Sequence, residues 1–325
     1  MNRRNLLKAA AAAGIGSLLT SYKLQSFAQA RNVRITLPSP GSAGSVWRPL
    51  IEKLELNPAH GINLDWVTAD PGMMQTQLNA GALDIGVFGS VGLSTIASKG
   101  SDIVLFGPAL NNHGRWLVKP DSPFKSPQEL IGKTIATPAQ TSETYQQAQI
   151  AASLSGIDLK KDIKVIHGSP TANLALFERG DVDGIITLEP TASRLVARGA
   201  REIARVADLW KKSTGQTSAP FLVGLAANRR WLESNRDTAA KIAALFVKVN
   251  SAIHADPALL LGVATEIGLK ADETKAAALL PQRLTDSYAT NWDDNVFAVI
   301  DKQIEVAVKL GILPKRPATP IYVKL

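Results

Sequence analysis

The chain has 325 residues, 45 % hydrophobic and 20 % charged, which is enough apolar material for a sizeable core and excludes a disordered profile. It holds no cysteine, which excludes disulfides, thiolate metal sites and a cysteine nucleophile, and its four histidines (His60, His113, His167 and His254) are too far apart for a local metal pair. The formal charge is +8, yet 32 basic face 28 acidic residues once the first 30 positions are set aside, and no basic stripe is interleaved with aromatics, so nucleic acid is not an expected partner.

The chain opens with Arg3-Arg4-Asn5-Leu6-Leu7-Lys8, an apolar run from Ala9 to Leu19, and the small-x-small triplet Ala28-Gln29-Ala30. A charged start, a short apolar stretch and a small-residue exit describe an export signal cleaved after Ala30, which implies a periplasmic protein. The arginine pair resembles a twin-arginine signal, with Asn2 and Leu6 departing from its usual residues; a general secretory signal with adjacent arginines is the alternative. No later segment offers 18 apolar residues free of charge.

From Val33 onward, β-rich runs alternate with helical stretches. Strands are expected at Val33–Leu37, Asn63–Thr68, Leu83–Val87 and Ile103–Phe106, with helices at Val46–Leu54, Met73–Ala80 and Val91–Ser98 between them. Ser126-Pro127-Gln128-Glu129 reads as a capping box that starts a helix. A second series follows: strands Thr134–Thr137, Lys164–His167, Gly184–Thr187 and Ile203–Val206, with helices Tyr145–Ser155, Ala172–Arg179 and Thr191–Arg198. Phe221–Ala227 is a further strand. Helices Asp237–Ala255, Pro257–Ile267, Thr274–Leu280 and Asn295–Leu310 precede an extended tail from Pro314.

The two series echo one another. Leu78-Asn79-Ala80-Gly81-Ala82-Leu83-Asp84 and Phe177-Glu178-Arg179-Gly180-Asp181-Val182-Asp183 each close a helix on a left-handed glycine and turn into a buried strand, 99 residues apart. Alternating strands and helices in two such series give an α/β protein of two lobes, each a mostly parallel sheet flanked by helices. Residues 31–116 and 220–325 are expected to form lobe 1 with the C-terminal helices, and residues 117–219 lobe 2. Two extended crossings near Arg115–Lys119 and Thr217–Leu222 would make a hinge.

Three segments carry a resemblance: Leu78–Ser90, Ser126–Thr137 and Ala172–Pro190. With them the chain resembles the periplasmic substrate-binding proteins of nitrate, sulfonate and taurine ABC transporters, a group that includes thiamine-precursor binders. Ile131 stands where that family usually has lysine, and the loop Ser39–Ser45 is richer in glycine and serine. The resemblance implies the type II periplasmic-binding-protein fold with a two-strand hinge. It also implies a ligand in the interlobe cleft and a closed form that a membrane permease recognises. A monomer without cofactor is expected.

In open α/β sheets, ligands sit beyond the carboxyl ends of strands, where helix N-termini favour anions. That rule selects Ser42, Gly44 and Ser45 after the first strand, with Trp47 as a possible wall. It also selects Gly89 and Ser90, Asn112 at the hinge, and in lobe 2 Gln140, Thr141, Ser142, Thr171 and Glu189. Each has a plainer reading as a cap, turn or core residue. Arg115 reads either as an anion partner or as a surface ion pair. Hydroxyl-rich loops suit a small organic anion such as an aliphatic sulfonate or taurine, with Glu189 toward an amine. A pyrimidine or thiamine precursor or an aromatic acid is the alternative, because Trp47, Trp116 and Phe88 could line the cleft. No nucleophile elbow, phosphate loop or dinucleotide fingerprint occurs, so no catalytic residue and no enzyme is expected. A periplasmic hydrolase is the reading from another class.

Overall fold

The computed structural model describes residues 31–38, 41–56, 61–68 and 71–325. The export signal with its boundary at Ala30, and His60, lie outside the described residues.

The chain runs β1 (Arg31–Leu37), α1 (Trp47–Lys53), β2 (Ile62–Thr68), α2 (Pro71–Asn79), β3 (Gly86–Phe88), α3 (Ser90–Ala97) and β4 (Ile103–Asn111). It crosses to β5 (Arg115–Val118), β6 (Thr134–Thr137), α4 (Glu143–Leu154), β7 (Lys164–His167), α5 (Pro170–Arg179), β8 (Gly184–Thr187), α6 (Thr191–Ala197), β9 (Arg201–Arg205) and α7 (Val206–Thr214). It then returns through β10 (Phe221–Asn228) and α8 (Arg229–Ser234) to α9 (Arg236–Ala255), α10 (Thr274–Leu284) and α11 (Asp294–Lys309).

The strands form two sheets of one design. In the second the order is β7-β6-β8-β5-β9, with β6 parallel to β7 and β8, and β5 antiparallel to β8 and β9. In the first, β1 and β2 are parallel, β10 lies antiparallel between β3 and β4, and Ile35 and Ile85 bridge the two groups. In each lobe the strand arriving from the other lobe is therefore the antiparallel member, seated fourth of five in both sheets. The echo has a physical basis. Gly81 (φ 66°) and Gly180 (φ 84°) hold the left-handed conformation that turns helix into strand. Three residues on, the Asp84 carboxylate accepts the Arg34 N–H at 2.8 Å, and Asp183 accepts the Thr134 N–H at 2.9 Å. Each aspartate thus ties its turn to a neighbouring strand, Asp84 to the middle of β1 and Asp183 to the start of β6.

Both faces of each sheet are covered, and the alternation of side chains shows it. Along β4, Val104 and Phe106 join one core with α1 and α9, while Ile103 and Leu105 join another with α3 and α11. In lobe 2, Trp116, Ile135 and Ile186 face α4, whereas Leu117, Ala136 and Ile185 face α5 and α6. No single helix among the described residues is long and apolar enough to cross a membrane.

Four local features depart from the sequence expectation. The Ser126–Glu129 segment forms only a 3-10 turn, Pro127–Leu130, without a side-chain cap bond from Ser126. Extended Ile131 and left-handed Gly132 (φ 79°) lead straight into β6, so no α-helix can grow. Pro257–Val263 is likewise 3-10. Helix α7 was not anticipated; it buries Val206 and Trp210 and ends at left-handed Gly215 (φ 71°). Arg115 and Trp116 pair with β8 and β9, so residues 112–114, not Arg115–Lys119, make the first crossing. There the Asn112 N–H donates to the Pro220 carbonyl at 2.8 Å, tying the two crossings together.

Candidate ligand cleft

The carboxyl ends of β1, β3, β6 and β8 face a shared crevice of about 390 Å³. Lobe 1 lines it with Thr36, Pro38, residues 41–44, Trp47, Met74, Val87 and Leu110. Lobe 2 supplies Pro138, Glu143, Thr144, Pro170, Leu188, Glu189 and Thr191, and the crossings add His113, Leu222 and Val223. The walls are chiefly apolar, and no lysine or arginine is among these residues. Among the described residues, no group of three or more histidine, aspartate or glutamate side chains is gathered to hold a metal.

Of the residues selected from sequence, Ser42, Gly44, Trp47 and Glu189 line the crevice. Gly44 is required there: a Cβ would come within 2.8 Å of the Trp47 ring. Trp47 is also a core residue, because its Nε1 donates to Asn250 Oδ1 at 3.0 Å and its ring packs on Phe246. Glu189 is 1 % exposed, and both of its oxygens are engaged by the protein. Oε1 accepts from Arg115 Nε (3.4 Å) and Arg283 Nε (2.8 Å), and Oε2 from the Ser193 N–H (2.8 Å) and Oγ (2.7 Å). Arg115 is therefore neither a surface pair nor a free anion partner: it is buried between Glu189 and Glu202. Burial lowers its pKa, an effect Glu202 and Glu189 partly offset.

The remaining selections do not line the crevice. Ser45 Oγ lies 2.6 and 2.8 Å from the Ser42 and Glu266 carbonyls, which share its one proton, and so stitches the loop to the C-terminal region. Asn112 accepts the Gly114 N–H at 2.9 Å as a hinge turn. Ser142 caps α4 by accepting the Tyr145 N–H at 3.2 Å. Gln140, Thr141 and Thr171 are exposed, and Ser169 rather than Thr171 caps α5.

Gly89 and Ser90 lie at the N-terminus of α3, where the sequence rule expects an anion. An anion is there, and it is the protein's own. Glu143, in the first turn of α4, crosses from lobe 2 and accepts the N–H groups of Val91 (3.2 Å) and Gly92 (2.9 Å). Gln147 Nε2 donates to it at 2.7 Å, and Ser90 Oγ lies 3.4 Å away. Ser90 itself is fully buried, donating to Gln303 Oε1 at 2.9 Å and accepting from Gln147 Nε2 at 3.1 Å. Desolvation pushes the Glu143 pKa above the usual carboxylate range, against the pull of these donors.

His113 sits at the crossing, 2 % exposed, with Nδ1 3.0 Å from the Asn111 carbonyl. Burial depresses its pKa to about 4, so near neutrality the ring is uncharged. A neutral ring that donates from Nδ1 to that carbonyl leaves Nε2 as an acceptor. Thr36 is buried at the crevice wall and its Oγ1 has no hydrogen-bond partner.

The lobes also meet at both flanks. Arg194 of α6 pairs with Glu273 at 2.6 Å, and Arg283 of α10 reaches Glu189 and Glu202 at 2.8 and 2.6 Å. On the other side Gln303 of α11 donates to Gln147 of α4 at 2.8 Å.

Residues 91–260, just over half of the chain, match the NMT1-like family. A taurine-binding periplasmic protein of Escherichia coli (strain K12) is 30 % identical over 143 residues, 43 % of each chain, so the match spans less than half of that relative. The crystal structure of the periplasmic aliphatic sulphonate binding protein SsuA from Escherichia coli superposes with a TM-score of 0.70 at 21 % identity, covering 88 % of this chain and 95 % of that one. The alkanesulfonate-binding protein SsuA of Xanthomonas axonopodis pv. citri, bound to MOPS, gives 0.71 at 20 % identity, covering 92 % and 100 %. The desulfurization enzyme DSZB shares the architecture at 14 % identity and a TM-score of 0.58, over 88 % and 94 % of the two chains. The two-lobed α/β fold is thus common to binding proteins and at least one enzyme.

Proposed function

Because the chain belongs to the NMT1-like family, we propose that it is the exported solute-binding component of an ABC importer, which holds a small organic solute between its lobes and presents the closed form to a permease. The observation that carries this reading is the crevice itself: strand ends of two matching sheets converge on one space of about 390 Å³, beside crossings tied at Asn112 and Pro220. Ligand that touches both walls binds the closed form better, and that difference shifts the hinge equilibrium. The N-terminal segment supports export to the periplasm, with the twin-arginine route and cleavage after Ala30 as the finer reading. The sequence supports a monomer that needs no cofactor and performs no catalysis.

The relatives named for sulfonates and taurine support an organic sulfonate as ligand. The walls favour one with an apolar body, since Pro38, Met74, Val87, Leu110, Leu188 and Leu222 give little to a bare oxyanion. A second reading, a neutral heterocycle or aromatic acid, draws support from the absence of lysine and arginine among the lining residues.

Thermal-shift screening of the purified protein against alkanesulfonates, taurine, nitrate, aromatic acids and pyrimidines tests this. A true ligand at about 100 times its Kd should raise Tm by about 5 °C or more. Turnover of ester, amide or phosphate substrates would replace the receptor reading with the hydrolase one. A shift with pyrimidines alone would remove the sulfonate.

A further inference from the structure

An N-terminal helix end that already holds a carboxylate cannot also hold a ligand's acid group. We infer that Glu143 is a built-in anion that fills the seat at the start of α3 and thereby sets the polarity of the ligand: this end of the crevice rejects an acid group and takes a hydrogen-bond donor, such as an ammonium or amide N–H. The inference rests on the crevice being a ligand site and specifies which chemistry faces its α3 end.

Four observations converge. The Val91 and Gly92 N–H groups both point at the carboxylate, as they would at an oxyanion. Gly89 provides the room: a Cβ there would lie 2.1 Å from Glu143 Cδ, so any other residue would expel the carboxylate. The seat is fixed from behind by Gln147, which is held in turn by Gln303 of α11 at 2.8 Å. Glu143 nevertheless lines the crevice, so the filled seat stands at the crevice wall. No cation among the lining residues neutralises it, so a solute placing an acid group here would meet like charge, whereas a donor would meet an acceptor.

The test uses the full mature chain with two probes, propanesulfonate and propylammonium, titrated calorimetrically into the wild-type protein, Glu143→Ala and Glu143→Gln. Alanine vacates the seat and leaves the α3 N–H groups open, so propanesulfonate should bind Glu143→Ala about ten-fold or more tighter than wild type. Glutamine is nearly isosteric and still fills the seat, so it should gain far less. Gly89→Ala supplies a second route, because its Cβ displaces the carboxylate without removing the charge; it should lower affinity for propylammonium and add none for propanesulfonate. Equal sulfonate affinity in wild type and folded Glu143→Ala overturns the inference, as does an equal gain in alanine and glutamine variants. These outcomes differ from failure of the receptor reading, in which the wild-type protein binds none of the screened solutes whatever stands at position 143.

Discussion

Glu189→Ala is expected to lower the unfolding free energy by about 3–5 kcal/mol, the range for removing one partner of a buried ion pair. The side chains of Arg115 and Arg283 are 7 % and 9 % exposed, and that of Glu189 is wholly buried. The effect does not measure the attraction itself, because desolvating the ions consumes much of it. It arises from leaving two guanidinium groups in a low-dielectric site with only Glu202 between them. The Ser193 N–H and hydroxyl lose their acceptor in the same step. Urea denaturation should show a lower midpoint with an unchanged slope. Adding Arg283→Met to Glu189→Ala should cost less than Arg283→Met does alone, since one uncompensated charge is then gone. Arg283 comes from α10 of lobe 1 and Glu189 from the end of β8 in lobe 2, so the same cluster joins the lobes. A loss under about 1 kcal/mol would mean that water reaches the cluster and screens it.

The fold was legible wherever local geometry demands a residue type. A left-handed turn demands glycine, which is why Gly81 and Gly180 exposed the repeat before any sheet was known. The strands were legible because sheets covered on both faces read as short apolar runs, as Ile103–Phe106 and Gly184–Thr187 do. The candidate site was harder, because the strand-end rule names a loop and not the side chain that faces inward. Ser142 and Glu143 are neighbours, yet one turns back to cap its helix and the other, rotated by about 100° along α4, reaches the opposite lobe. Likewise Asn112 is consumed by the hinge turn while His113, the next residue, lines the crevice. The start of α3 shows the deeper limit. Sequence identified a helix end suited to an anion, but its occupant comes from a helix some 50 residues later, and no periodicity encodes that meeting. The burial of Arg115 is hidden from the sequence for the same reason, since Arg283 is 168 residues away and brings the second guanidinium to the carboxylates.

Stability should also fall as the solution is acidified, and His113 should be a principal cause. Its pKa is about 4 in the folded protein, against an ordinary value of 6.5. Between those values the unfolded chain binds a proton there that the folded chain refuses, so stability is fully present above pH 6.5 and drains away as pH falls toward 4. The difference corresponds to about 3 kcal/mol when the window is crossed completely. Burial is the leading cause. The Asn111 carbonyl and Glu189 pull the other way, and Arg115 adds to the depression. Glu143 opposes the trend at the acid end. Its raised pKa means that the folded state takes up a proton more readily than the unfolded chain does, which favours folding as pH drops through the carboxylate range. A total pH profile therefore mixes two signs, and the histidine is isolated by difference. Between about pH 7.5 and 4.5, wild type should lose about 2–3 kcal/mol more than His113→Asn, whose amide keeps a donor toward Asn111 without titrating. Parallel profiles for the two proteins would show that the ring keeps its proton within the fold. The Asn111 carbonyl and Glu189, not burial, would then govern it, and the crevice would present a cation at the hinge in place of a neutral acceptor.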